Sequence, residues 1–273
     1  MFFLVHLRKC ANINDIAIMD NNKILELIEK LPPISLEEMS GIKLMNRTDT
    51  KFVATEAQLS SFLAAVNGQY YVQQINGRRI SSYHTIYFDT ADFLMYTMHH
   101  KGRARREKIR VRTYLDSDDT FLEVKNKNNH GRTKKKRIEV NSAYSLNEER
   151  ENVVPFLAKH AWYTLEEIAP VTENRFSRIT LVNFGKTERL TIDFGLYFHN
   201  LNSNEENGLN HVVIIELKRD GNVFSPALAV IRDLRIKRSG FSKYCIGSIL
   251  TNKDLKYNNF KDRLRYIQRL ENR

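Results

Sequence analysis

Cysteine is scarce. Cys10 and Cys245 are too few and too far apart to form a disulfide framework, so a reducing, cytoplasmic setting is expected. No window approaches the roughly 18 apolar residues of a membrane helix, so no transmembrane segment is expected. The apolar start MFFLVHLRKC lacks both a positive leader and a small-residue cleavage site, which argues against a signal peptide. Repeats, low-complexity tracts and any linker that would divide the chain are missing too. Neither G-x-x-x-x-G-K-[ST] nor G-x-G-x-x-G occurs, so no glycine-rich loop is expected to cradle phosphate. H-E-x-x-H and G-x-S-x-G are also absent. His84, His99 and His100 have no zinc-site spacing around them and read as ordinary strand or surface histidines.

Acidic residues are short where basic ones gather. The stretch Lys101 to Arg137 holds fourteen Lys or Arg against five acids, so nine of the chain's eleven net positive charges lie there. A surplus this local points to a polyanionic partner: nucleic acid, a membrane surface or a phosphorylated metabolite. In Lys108-Ile-Arg110-Val-Arg112 the bases fall on every second residue with β-branched residues between them, the signature of a strand with one cationic and one apolar face. The pattern recurs in Glu123-Val-Lys125-Asn-Lys127 and around Ile138 and Val140, which put Lys135, Arg137 and Glu139 on the polar side. An Asp-rich turn (116–119) and an Asn/Gly turn (128–131) separate the three strands. Like charges on neighbouring strands repel unless an anion lies between them. Arg103 to Arg106, which lack the alternation, read as a solvated surface.

The rest of the chain repeats the two-faced design. A helix over 21–31 ends at Pro32-Pro33, and Thr55 with Gln58 forms a capping box for a helix over 56–66. A short helix follows Asp89-Thr90 around 93–98, and 141–160 reads as a polar helix broken or kinked at Pro155. Ser225-Pro226 and Ser242 each open a helix, and 254–270 closes the chain as a charged amphipathic one. Strands are expected near 47–54, 82–89, 107–115, 120–127, 133–140, 174–182, 189–196 and 211–218. In the sixth, Arg175 and Ser177 lie opposite Phe176. The eighth ends with Glu216 and Lys218 on one side. An open sheet would not explain Arg and Lys on so many polar faces. The expected fold is therefore mainly β within the α+β class: a closed eight-stranded antiparallel barrel with a hydrophilic, cationic lumen and helices outside.

Arg forks and mobile Lys ammoniums ringing a narrow bore suit a linear polyphosphate. The few acids expected there, Glu123, Asp193 and Glu216, are candidates to hold a divalent cation, Glu216 foremost, unless it only balances Lys218 or a lumen arginine. Aromatics such as Phe52, Phe176 and Phe194 fall on the apolar sides, unlike the stacking platforms of nucleic-acid binders, so no specific nucleic acid is expected.

These residues resemble those of the VTC domain, the polyphosphate polymerase module of vacuolar transporter chaperone complexes and their bacterial relatives, within the triphosphate tunnel (CYTH-like) superfamily. The resemblance covers about residues 40 to 250. It is carried by Arg47-x-x-x-Lys51-Phe52, Tyr87-Phe88-Asp89-Thr90, Lys108-Ile-Arg110-Val-Arg112, Glu123-Val-Lys125, Gly131 with Lys135 and Arg137, Asn174-Arg175, Arg189-x-x-x-Asp193, Ile215-Glu216-Leu217-Lys218 and Phe241-Ser242-Lys243-Tyr244. It implies an N-terminal helical extension (1–38), a tunnel domain (39–251) and a C-terminal helix (252–273).

By that resemblance Lys51, Arg110, Arg112, Lys125, Lys135, Arg175, Arg189, Ser242 and Lys243 bind nucleotide phosphates or the growing chain, with Arg110, Arg112, Lys125 and Lys243 at the reacting phosphates. Arg137 and Lys218 join them from their strand faces, and Glu216 holds Mn²⁺ or Mg²⁺. The choice of Lys135 over Lys136 follows from the strand register. The implied activity is transfer of the terminal phosphoryl group of ATP to inorganic polyphosphate or pyrophosphate. The alternatives are a tunnel-type triphosphatase and a non-catalytic polyanion or nucleic-acid binder. Where hydrolytic and cyclase members of the superfamily carry E-x-E-x-K, this chain reads Arg47-x-Asp49-x-Lys51, which disfavours a two-metal triphosphatase.

Overall fold

The computed structural model describes residues 21–40, 42, 47–129, 133–221 and 223–272, and of Asn21 and Arg47 the backbone only. The apolar start, the Arg47 side chain and Gly131 therefore lie outside the described residues. Helices α1 (Asn21–Glu29) and α2 (Leu36–Ser40) flank strand β1 (Pro33–Ile34). Then follow β2 (Arg47–Thr55), α3 (Glu56–Ala65), β3 (Tyr70–Gln73), β4 (Ser81–Asp89), α4 (Leu94–His100), β5 (Arg106–Tyr114), β6 (Asp119–Lys127), β7 (Thr133–Glu139) and α5 (Arg150–His160). The chain continues through β8 (Ala169–Asn183), β9 (Glu188–Asn200), β10 (Glu206–Leu209), β11 (Val212–Asp220), α6 (Pro226–Asp233), β12 (Lys237–Arg238), α7 (Lys243–Thr251) and α8 (Lys261–Glu271).

Each expected strand is present, and the eight pair antiparallel in the order β2-β11-β9-β8-β4-β5-β6-β7. The expected closed barrel is not. Among the described residues no pairing joins β7 to β2 or to β12, and four short strands (β1, β3, β10 and β12) bring the sheet to twelve. The edge strand β7, TKKKRIE, is exposed along most of its length. Its run of four cations opposes pairing with another cationic edge by mutual repulsion. The sheet still curls far enough for Lys125 of β6 to feel Lys51 of β2 and Glu216 of β11, six and five steps away in the ladder.

Alternation gives the sheet its two faces. On the convex side Ile109, Val111, Leu122 and Val124 pack under Val153, Phe156 and Leu157 of α5. A second convex core joins Ile179, Leu181, Leu190, Ile192 and Ile215 to Ile24 and Ile28 of α1 and to Leu59, Phe62 and Leu63 of α3. The capping box opens α3 as expected, with Thr55 Oγ1 accepting from the Gln58 amide. Within the concave face, α7 and α8 bury Tyr244, Ile246, Leu264, Ile267 and Leu270 against Val53, Leu196, Phe198 and Val212, filling one end. Gly247 permits this approach, because a Cβ there would stand 2.3 Å from the Phe198 ring.

Asp193 and Leu196 share the concave face because β9 gains a residue opposite Arg175–Ser177, with Gly195 at φ 58°. Two expected helices are shorter than their sequence patterns. Residues 141–149 form turns held by Ser142, Ser145 and Glu149, and Pro155 lies inside α5 without ending it. Residues 254–260 likewise precede α8 as turns and a 3₁₀ segment. No described helix is long and apolar enough to cross a membrane.

Candidate functional site

Register stacks the cations of β5, β6 and β7 in tiers on the concave face. Arg112 lies beside Phe121, which pairs with Glu139. Arg110 lies beside Glu123, which pairs with Arg137, and Lys108 beside Lys125, which pairs with Lys135. Arg110 grips Glu123 through Nε (2.7 Å) and Nη2 (2.6 Å), and Lys135 donates to its other oxygen at 2.7 Å. Arg112 donates to Thr85 Oγ1 at 3.1 Å and lies over the rings of Tyr83 and Phe176.

The opposite wall comes from β2, β11, β9, β8 and the N-terminus of α7. Lys51 pairs in register with Glu216, and Lys218 with both Asp49 and Arg189. Arg178 Nε and Nη2 meet the two oxygens of Asp193 at 2.5 and 2.8 Å, and Lys243 Nζ donates to Asp193 Oδ2. Ser242 caps α7 by accepting from the Cys245 amide, and its Oγ also accepts from Lys108 Nζ at 2.8 Å. Lys51 Nζ donates to the Phe241 carbonyl at 3.3 Å, so the start of α7 stands between the two walls.

Most of the expected residues share this concave face, and three expectations need correction. Arg175 is on the convex face, where its Nε meets Glu173 at 2.6 Å beside His84 and His199, and Arg178 occupies the concave position instead. Phe176 is not on an outer apolar side: it lies within the site, 4.1 Å from Lys243 Nζ and 5.3 Å from the Arg178 guanidinium. Glu123 and Asp193 have their carboxylates taken up by two cations each, which leaves them poor metal ligands. Lys108 and Arg178 join the site beyond the expected set. Lys108 begins the same KIRVR alternation as Arg110, and Arg178 stands two residues beyond Phe176, on its side of the strand.

Glu216 is different. Its oxygens lie 3.8 Å from Lys51 Nζ and 4.0 Å from Lys218 Nζ, and among the described residues neither accepts a closer hydrogen bond. Burial would raise its carboxyl, but Lys51, Lys218, Lys125 and Arg178 outweigh this and hold it down to about 2. No group of three or more His, Cys, Asp or Glu among the described residues is placed to share a metal ion. A single ionised carboxylate fits a hard divalent cation that takes its other ligands from substrate phosphates and water.

Crowding sets the charge of the face. Burial, with Lys51, Lys125 and Arg106 nearby, lowers Lys108 to about 7. Burial, with Arg110 and Lys51, lowers Lys125 to about 8. A bound anion favours both ammoniums, so anion affinity is full below pH 7 and falls as pH rises through these values. Tripolyphosphate titrated calorimetrically into the metal-free protein is expected to bind about tenfold more weakly at pH 9 than at pH 7. A flat profile would remove these lysines from the binding face.

A curled antiparallel sheet that gathers Arg and Lys onto its concave side is built to hold a polyanion. The chain belongs to the VTC domain family, whose model matches residues 46–252. Among curated proteins no relative matches. Among solved structures, a putative adenylate cyclase from Vibrio parahaemolyticus is 12% identical, covering 75% of this chain and 99% of its own, with a TM-score of 0.43. A putative adenylyl cyclase from Hippeastrum, described as having a dominant triphosphatase activity, is 14% identical, covering 78% of this chain and 98% of its own, with a TM-score of 0.49.

Proposed function

We propose that this chain is a metal-dependent polyphosphate polymerase, transferring the terminal phosphoryl group of ATP to the end of an inorganic polyphosphate or pyrophosphate held in the cationic groove. The surplus of concave-face cations over Glu123, Asp193 and Glu216 supports the reading most directly, since a bound polyanion relieves it while keeping Lys108 and Lys125 charged. Arg110 and Arg112, held by Glu123 and Thr85, present guanidinium charge to the equatorial oxygens of the transferring group. Lys125 and Lys243 flank them, and Lys51, Lys135, Arg137, Arg178, Arg189, Lys218 and Ser242 grip the rest of the chain of phosphates. Alignment of two phosphates in one groove supplies proximity. The acceptor is already an oxyanion, so no side chain need remove a proton. Glu216 would hold Mn²⁺ or Mg²⁺, which when bound offsets negative charge on the phosphates. A cytoplasmic location, with ATP at hand, goes with this reading.

Water reaches the groove, since the Lys135 side chain is 43% exposed, and so a tunnel-type triphosphatase is the second reading. Incubating the purified protein with ATP and Mn²⁺ and resolving the products on a polyphosphate gel separates them. A ladder is expected, lost in an Arg110→Ala/Arg112→Ala double variant. Free phosphate alone would indicate the triphosphatase, and no turnover would leave a polyanion binder.

A further inference from the structure

The two ends of the groove differ in chemistry. At the tier where β5 ends and β6 begins, two half-buried aromatics, Tyr114 and Phe121, face the concavity edge to face with centroids 5.9 Å apart. Arg137 lays its guanidinium 4.1 Å over the Phe121 ring, and Tyr83 touches Tyr114 from β4 at 5.2 Å. Two tiers inward, at Lys108, Lys125 and Lys135, the concave side of these three strands carries only ammonium groups.

A polyphosphate has no apolar surface and gains nothing from a ring. A purine gains from both an aromatic face and a guanidinium plane. We propose that Phe121 and Tyr114, flanked by Arg137 at the edge of the phosphate grip, form the nucleobase subsite, so that ATP lies with its base at this mouth and its phosphates directed inward. This rests on the nucleotide reading of the groove. The four residues from Phe121 to Lys125 span about 13 Å of strand, a distance that a base, ribose and triphosphate can bridge.

The test compares a ligand that has a base with one that lacks it. In Phe121→Leu, which keeps apolar bulk but removes the π face, ATP affinity measured calorimetrically is expected to fall about tenfold while tripolyphosphate affinity stays within about twofold. The KM for ATP should rise with kcat nearly unchanged, and Phe121→Trp should restore both affinity and KM. An unchanged ATP affinity, or an equal loss for the two ligands, overturns the base subsite and leaves the polymerase reading standing. Wild-type protein that binds tripolyphosphate but not ATP, or neither ligand, overturns the nucleotide reading and the subsite with it.

Discussion

Replacing Glu216 by glutamine is expected to slow phosphoryl transfer at least about 100-fold while leaving the protein folded and able to bind tripolyphosphate without metal. Of the three central carboxylates on the concave face, Glu123 and Asp193 each sit in close ion pairs with two cations, whereas Glu216 stands 3.8 and 4.0 Å from its lysines. It is thus the carboxylate with room to trade a loose ion pair for a divalent cation. A metal in such a site is worth several kcal/mol of charge stabilisation, and each 1.4 kcal/mol is about tenfold in rate. Glutamine preserves the shape and removes one negative charge from a cationic wall, so metal-free binding of a polyanion should stay the same or tighten. Single-turnover rates across a Mn²⁺ titration, set beside metal-free binding, decide the matter. A variant with the wild-type rate and the wild-type metal dependence would dismiss Glu216 as the metal ligand.

The eight strands were legible because period-2 alternation survives wherever one face is buried and the other is charged. KIRVR is the clearest instance, with Ile109 and Val111 under α5 and the three bases inward. The caps of α3, α6 and α7 were legible for an equally local reason, a side-chain oxygen three residues before an orphan amide. The face of β8 was not. NRFSR offers an arginine to either side, and Phe176 suggests an apolar exterior. In the folded protein Phe176 is instead a ring platform beneath Arg112, Arg178 and Lys243, so the polarity reverses and Arg178 replaces Arg175. Closure of the sheet was not legible, because the cations of TKKKRIE suit the wall of a closed bore as well as they suit an edge kept from pairing. The entry of α7 between the walls was equally hidden: it depends on Gly247 admitting Phe198 and on Gly195 turning Leu196 and Phe198 inward.

Asp193→Asn is expected to cost about 3–5 kcal/mol of stability, because it leaves two cations buried beside each other with nothing to neutralise them. Asp193 is 4% exposed, and its partners Arg178 and Lys243 are 15% and 12% exposed, so water offers little screening. Burial alone would raise the Asp193 carboxyl, yet Arg178 and Lys243 hold it well below the usual carboxylate range. For a carboxyl depressed on folding, the stabilisation is present above its unfolded value near 4 and is lost as pH falls toward the folded one. Wild-type stability should therefore decline as pH falls below about 4, and the variant should lack this part of the decline. Near neutral pH the expected loss corresponds to a Tm lower by roughly 10 °C in a chain of this size. The same two cations belong to the proposed phosphate grip, so a bound anion should stand in for the missing carboxylate. Tripolyphosphate is expected to raise the Tm of the variant more than that of the wild type. Equal shifts would mean that Arg178 and Lys243 serve only to anchor α7 and do not meet the polyanion.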